Sequence, residues 1–222
     1  MEAPNPLKTI IFANGDANEG PMVQRALDSA PDAWVVAADG GARQAQHFRR
    51  AVHTLIGDMD SLSAAELDAL AASDTAIRRH PEEKDETDLE LALTWAAENG
   101  ATWIRVIAGI GDRLDQTLSN VYLLALPALR ERDVRLVAGK QEAWLLYPGA
   151  HSITGAAGDT LSLLPISGEA RGIRTDNLYY PLRDETLTFG PARGISNVFQ
   201  SETAEVSLRE GVLLAVHTMG RA

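Results

Sequence analysis

The sequence predicts an α/β fold in two parts, a parallel-sheet domain over residues 1–139 followed by an all-β sandwich domain over residues 140–222. Three observations predict it. Up to Gly139, short apolar β-type runs alternate with helical stretches, the pattern of parallel βαβ units. Beyond Gly139 the helical periodicity stops, and short strand candidates follow one another between turn residues. The length of 222 residues also exceeds the roughly 150 of a typical domain.

The elements follow in order. Ile10-Ile11-Phe12 is a β run ending at Asn14-Gly15-Asp16, and a helix carrying Met22, Val23, Ala26 and Leu27 follows Pro21. Trp34 to Ala38 ends at Asp39-Gly40-Gly41, with a helix from Ala42. Thr54-Leu55-Ile56 ends at Gly57-Asp58. Ser63 with Glu66 and Thr87 with Glu90 each have the spacing of a capping box, in which side chain and backbone satisfy each other at a helix start. The first opens a helix through Ala72. The second opens one with Leu89, Leu93 and Ala97 on one face, stopped by Asn99-Gly100. Trp103 to Ala108 is a strand ending at Gly109-Ile110-Gly111, Leu114 to Leu126 a helix, and Val134 to Ala138 a last strand. In the second part the strand candidates are 144–147, 151–154, 160–164, 172–178, 186–189, 204–208 and 212–217.

Composition narrows the function. At 45 % hydrophobic and 23 % charged residues, the chain excludes disordered, collagen-like and coiled-coil classes. A net charge of −11 repels a phosphate backbone, so no nucleic-acid partner is expected. The absence of cysteine excludes disulfides, thiolate catalysis and Cys-ligated metal. No apolar run approaches a membrane span, and the start MEAPNPLKTIIFANG holds too short an apolar stretch for a signal peptide. No membrane association and a cytoplasmic location are therefore expected.

The negative charge is concentrated. Residues 1–139 carry 22 acidic and 13 basic side chains, against 9 and 7 in the remainder. Eight aspartates (Asp16, Asp39, Asp58, Asp60, Asp85, Asp88, Asp112 and Asp115) lie in segments just after a strand or at a helix opening. In a parallel sheet these positions gather at the carboxyl edge, where ligands bind. In Gly57-Asp58-Met59-Asp60-Ser61, an extended backbone would point both carboxylates the same way. Converging carboxylates need a cation between them, and hard oxygen ligands suit Mg²⁺; an acidic turn capping the next helix is the other reading. Asp85 and Asp88 are three apart and share a face if the helix already includes them, though acidic residues there also complement the helix dipole. Gly109-Ile110-Gly111-Asp112-Arg113 offers backbone N–H groups and a guanidinium suited to phosphate, without matching a Walker or dinucleotide fingerprint. The five histidines show no metal-binding spacing, and no GxSxG elbow is present.

Together and in order, ANGD (13–16), ADGGA (38–42), GDMDS (57–61), KDETDLELAL (84–93), GDRLDQTLSN (111–120), GIRTDNLYYPL (172–182) and GISN (194–197) resemble the thiamine pyrophosphokinase family. The resemblance implies a nucleotide-binding α/β domain, a β-sandwich thiamine-binding domain and a homodimer. It implies transfer of pyrophosphate from ATP to the hydroxyl of thiamine, with Mg²⁺, giving thiamine diphosphate and AMP. By motif match it makes Asp58, Asp60 and Asp88 metal ligands, with Asp85 an additional candidate. Lys84 and Arg113 then contact phosphate, and Asp16, Asp39, Gly40, Gly41, Gly111, Asp115 and Gln116 shape the nucleotide side. Tyr180, Ser196 and Asn197 take the thiamine, together with Asp39, Asp58 and Asp60. Asp58, Asp60, Asp85, Asp88 and Arg113 form the catalytic set, with Asp58 or Asp60 accepting the hydroxyl proton. Many family members have a second glycine where this chain has Asp112. Two other readings stay open: a haloacid-dehalogenase-type phosphatase using Asp58 as nucleophile, and a non-catalytic metabolite sensor.

Overall fold

The computed structural model describes residues 8–221, which form two compact units dividing after Gly139. In the first unit the elements are β1 (Lys8–Phe12), α1 (Pro21–Asp28), β2 (Trp34–Ala38), α2 (Gly41–His47), β3 (Thr54–Gly57), α3 (Ala64–Ala72), β4 (Ala76–Arg79), α4 (Asp88–Glu98), β5 (Trp103–Ile107), α5 (Leu114–Leu123) and β6 (Asp133–Ala138). The strand order is β6-β5-β1-β2-β3-β4, and every pairing is parallel. The chain builds outward from β1 to β4, then returns to the other side of β1 for β5 and β6. The β1/β5 junction is thus the switch point, outside whose carboxyl ends ligands bind in open α/β sheets. Ile10, Ile11 and Phe12 of β1 have no exposure, because a central parallel strand is covered on both faces. Small residues of α4, Ala92 and Ala96, are also fully buried.

Local signals account for the helix starts. The Ser63 capping box forms in both directions: Ser63 Oγ accepts from the Glu66 N–H, and Glu66 Oε2 accepts from the Ser63 N–H at 2.8 Å. The box at Thr87 forms by half. Thr87 Oγ1 accepts from the Glu90 N–H at 3.2 Å, with no return bond from Glu90. The helix expected over 114–126 ends at Leu123, and a 3-10 turn follows at Pro127–Leu129. Pro127 disfavours helical backbone at the residue before it and has no N–H to continue the ladder. Strand β4 gave no sequence signal. It is an edge strand of sequence Ala-Ile-Arg-Arg with no buried residue, so it lacks the apolar run that marks the others.

The second unit contains β7 (Gln141–Leu146), β8 (Gly149–Thr154), β9 (Thr160–Pro165), β10 (Ala170–Asp176), β11 (Arg183–Leu187), β12 (Asn197–Val198), β13 (Thr203–Leu208) and β14 (Leu213–Thr218). Two antiparallel sets, ordered β12-β9-β14-β7 and β11-β10-β13-β8, share one core. Trp144, Leu146, Leu161, Leu163 and Leu213 enter it from the first set, and Ile153, Ile173, Leu187 and Val206 from the second. Alternation selects these side chains, as in the exposed-buried pattern of β7. Three strands differ from expectation, and β7 begins at Gln141 rather than at 144 because its first residues pair with Thr218 and His217 of β14. β10 stops at Asp176 because Asn177 turns through the left-handed region (φ 60°). β11 lies at 183–187 rather than 186–189, leaving Phe189 exposed ahead of Gly190-Pro191. The two-residue β12 was too short to show a periodicity.

Candidate functional site

At the carboxyl edge of the first unit's sheet, the loops after β1, β2, β3 and β5 surround a cleft of about 510 Å³. Asp39, Asp58, Asp60, Lys84, Asp88, Asp112, Arg113 and Gln116 line it, with Asn14, Ser61, Thr117 and Asn120. Its floor is acidic. One carboxylate oxygen from each of Asp39, Asp58 and Asp60 lies within 4.8 Å of the others. Like charges at that spacing repel by a few kcal/mol at an effective dielectric constant of about 20.

Asp39 sits in the left-handed region (φ 45°) directly after β2, and its side chain points inward. Only 4 % exposed, it leaves Oδ1 without a hydrogen-bond partner among the described residues. A buried carboxylate oxygen left bare costs free energy unless a cation or donor meets it. A buried carboxylate with an orphaned oxygen, grouped with two further carboxylates, fits a hard divalent cation.

Asp58 and Asp60 converge for a different reason from the one expected. The segment is not extended: buried Met59 adopts φ 71°, and the chain folds so that the Asp60 N–H donates to Asp58 Oδ1 at 3.2 Å. Ser61 Oγ then donates to Asp60 Oδ1 at 3.1 Å, and Arg43 holds the Ser61 carbonyl at 2.7 Å while pairing with Glu66. Asp39, Met59 and Ala108 (φ 58°) are all non-glycine residues in left-handed backbone beside the cleft. Such strain, on the order of 1–3 kcal/mol per residue, clusters where function fixes the geometry.

Asp88 begins α4, and Lys84 joins it to Asp58: Lys84 Nζ lies 3.0 Å from Asp58 Oδ2 and 3.1 Å from Asp88 Oδ1. Burial disfavours the Asp58 anion, but the Lys84 ammonium and the Asp60 N–H outweigh it and hold its carboxyl below the usual range. At Asp88 burial prevails over Lys84, and the carboxyl is pushed up. Gly57 separates the two loops at φ 150°, where a Cβ would come within 3.0 Å of both Asp39 Cβ and Asp88 Cγ.

On the opposite wall, the Gly109–Gly111 turn is tied to α5. Asn120 Nδ2 donates to the Gly109 carbonyl at 2.7 Å, and Thr117 Oγ1 meets the Gly111 N–H at 3.3 Å. The Gly15 and Asp16 N–H groups bond the Ala108 and Ile110 carbonyls, joining the loops after β1 and β5. Arg113 lines the cleft but is turned onto Asp115 through two bonds of 3.2 and 2.5 Å.

The structure therefore brings together Asp39, Asp58, Asp60, Lys84, Asp88, Gly111, Asp112, Arg113 and Gln116 of the residues singled out in the sequence. Three aspartates stand apart from the lining. Asp85 is exposed and precedes the helix, because Thr87 is the N-cap; the shared helical face supposed for Asp85 and Asp88 does not exist. Asp115 is engaged by Arg113, and Asp16 contributes through its backbone. Gly40 and Gly41 lie beneath the cleft, where a Cβ would collide with the Asn14 amide and the Phe12 carbonyl. The structure groups Asp39, rather than Asp88, with Asp58 and Asp60. Asn14, Thr117 and Asn120 received no role from the sequence, although all three fall inside quoted motifs.

In the second unit, exposed Ser196 sits at φ 56°. Asn197 is buried, and its amide clamps the Tyr180 backbone, accepting from the Tyr180 N–H at 2.9 Å and donating to the Tyr180 carbonyl at 2.7 Å. Tyr180 is 56 % exposed and meets Tyr179 edge to face.

Comparison with known proteins bears on both units. The profile described as thiamin pyrophosphokinase, catalytic domain, matches residues 26–137, and the one described as thiamin pyrophosphokinase, vitamin B1 binding domain, matches residues 150–213. Thiamine pyrophosphokinase of Bacillus subtilis (strain 168) is 28 % identical over 163 residues, covering 73 % of this chain and 76 % of that protein. A crystal structure of thiamine pyrophosphokinase from Bacillus subtilis superposes with a TM-score of 0.83 at 26 % identity, covering 96 % of this chain and 99 % of that one. A thiamin pyrophosphokinase family protein from Enterococcus faecalis shares the fold, with a TM-score of 0.85 at 22 % identity over 96 % and 100 % of the two chains. With the catalytic-domain profile alone spanning half of its length, this chain belongs to the thiamin pyrophosphokinase family.

Proposed function

We propose that the protein transfers the pyrophosphoryl group of ATP to the hydroxyl of thiamine, releasing AMP and thiamine diphosphate. The observation that carries this reading is the acidic cleft, with its orphaned Asp39 oxygen, lying within the span matched by the catalytic-domain profile.

In this reading Asp39, Asp58 and Asp60 would hold Mg²⁺, with Asp88 beside them. When bound, the ion neutralises charge on the polyphosphate and polarises the phosphorus that is attacked. Without such a cation the carboxylates would repel ATP. Arg113 and Lys84 are the cleft's cationic side chains, and they bind and orient phosphate once freed from Asp115 and from Asp58 and Asp88. The Gly109–Gly111 turn, braced by Thr117 and Asn120, seats the nucleotide. Asp58 or Asp60 takes the thiamine hydroxyl proton in this reading.

The second unit is read as a β-sandwich that binds thiamine through Tyr180 and Ser196, with Asn197 fixing the Tyr180 backbone. The surplus carboxylates also favour a cationic thiazolium ring. A homodimer is supported by exposed apolar side chains: Leu114, Leu118 and Tyr122 recur every four residues along α5, and Phe189 and Ile195 are exposed in the second unit. Among the described residues no helix is long and apolar enough to cross a membrane. A cytoplasmic location is part of the same proposal.

Phosphorus NMR of the protein with ATP and Mg²⁺ tests it. AMP formed only when thiamine is present is the expected result. Inorganic phosphate from simple monoesters would point to the phosphatase chemistry, and no turnover to a sensor.

A further inference from the structure

Lys84 is placed to do more than wait for phosphate. Its side chain is 11 % exposed, and its ammonium faces Asp58 Oδ2 at 3.0 Å, Asp88 Oδ1 at 3.1 Å and the Pro81 carbonyl at 3.1 Å. Two of its three N–H donors bond Asp58 and the Pro81 carbonyl, and Asp88 adds an ion pair beside them. Asp58 is in turn shared, since it also belongs to the Asp39–Asp58–Asp60 group, and its other oxygen accepts from the Asp60 N–H. The ammonium thus pairs with two carboxylates, one of them a member of the three-carboxylate group, while the cleft's other cationic side chain, Arg113, is paired with Asp115 at the exposed rim.

This arrangement treats two visitors unequally. A free divalent cation gains the carboxylates but meets the positive charge already on Asp58. A free polyphosphate meets the carboxylates. Arriving together, they exchange partners: the cation takes Asp58, and the ammonium is released to the anion.

We propose that Lys84 is a built-in counter-ion that competes with the divalent cation for Asp58, so that cation binding is weak without a polyphosphate and strong with one. The proposal rests on the reading of the cleft as a cation and polyphosphate site. It does not depend on thiamine as the acceptor.

The test is a Mn²⁺ titration, followed by electron paramagnetic resonance, without nucleotide and without thiamine. Lys84→Met, which keeps the stem and removes the charge, should bind Mn²⁺ at least about tenfold more tightly than the wild type. A non-hydrolysable ATP analogue should improve Mn²⁺ affinity much less in the variant than in the wild type. Unchanged or weaker Mn²⁺ binding by Lys84→Met overturns the proposal. The wild type supplies a second readout that does not depend on the variant's folding. The ammonium nitrogen resonance of Lys84 should stay in place when Mg²⁺ is added alone and shift when Mg²⁺ and the analogue are added together. A shift with Mg²⁺ alone, matching that of the ternary mixture, would contradict it. Loss of thiamine turnover with these binding results intact would reject the acceptor and leave the role of Lys84 standing.

Discussion

Gly57→Ala is the substitution that most sharply probes how the cleft is built. Gly57 ends β3 with φ 150°, backbone that L side chains rarely adopt, and that strain alone is on the order of 1–3 kcal/mol. The added methyl would also lie 3.0 Å from Asp39 Cβ, 3.0 Å from Asp88 Cγ and 3.1 Å from Asp88 Oδ1. These neighbours have little room to yield, because Asp39 is buried and Asp88 is tied to Lys84. Overpacking of this kind adds about 1–3 kcal/mol. A combined loss of about 2–6 kcal/mol would lower the Tm by roughly 4–24 °C for a chain of this size. Gly158→Ala is the control: its φ is 94°, yet no atom lies within 4 Å of the added Cβ, so it bears backbone strain alone. Calorimetry with parallel Mn²⁺ titration separates the two effects. Gly57→Ala should lose stability and Mn²⁺ affinity together, and Gly158→Ala stability only. Full Mn²⁺ affinity in Gly57→Ala would refute the claim that Gly57 sets the spacing of Asp39 and Asp88.

Two further outcomes are expected. His217 is fully buried, with Nε2 2.8 Å from Asp159 Oδ2 and Nδ1 3.7 Å from Glu142 Oε1. Burial opposes its charged form, but the two carboxylates outweigh it and raise its pKa. Its contribution to stability is therefore complete below the unfolded value of about 6.5 and lost as pH rises through the higher folded value. Urea midpoints measured from pH 6 upward should fall in the wild type and stay flatter in His217→Phe, and parallel curves would reject the coupling. Asn120→Ala removes the 2.7 Å bond to Gly109 and loosens the turn at the nucleotide side. It should raise the KM for ATP several-fold with little change in the KM for thiamine; equal changes would count against that role.

Much of this architecture was legible because the signals were local. The apolar run of β1 reflects burial on both faces, and the Ser63–Glu66 spacing reflects a capping box that forms in full. The placement of Asp39, Asp58 and Asp88 near one edge follows from where parallel strands end. What the sequence did not reveal depends on contacts between distant segments or on backbone that no motif announces. Left-handed Met59 turned an expected extended pair into a tight bend, and Asp39 joined Asp58 and Asp60 only through the adjacency of β2 and β3. Asp85 fell away because helix α4 starts three residues later than a shared face requires. Asn120 reaches Gly109 across eleven residues, a bond that neither periodicity nor composition encodes.

The most direct test of the central claim is thiamine-dependent AMP release at saturating Mg²⁺ by Asp39→Asn and Asp85→Asn, each checked for retained fold by circular dichroism. The site as built predicts that Asp39→Asn loses activity by more than the roughly 10–100-fold that even outer partners of a metal ligand cost. Asp85→Asn should stay within about twofold of the wild type, as expected of an exposed side chain outside the cleft. An active Asp39→Asn beside an inactive Asp85→Asn would contradict the account.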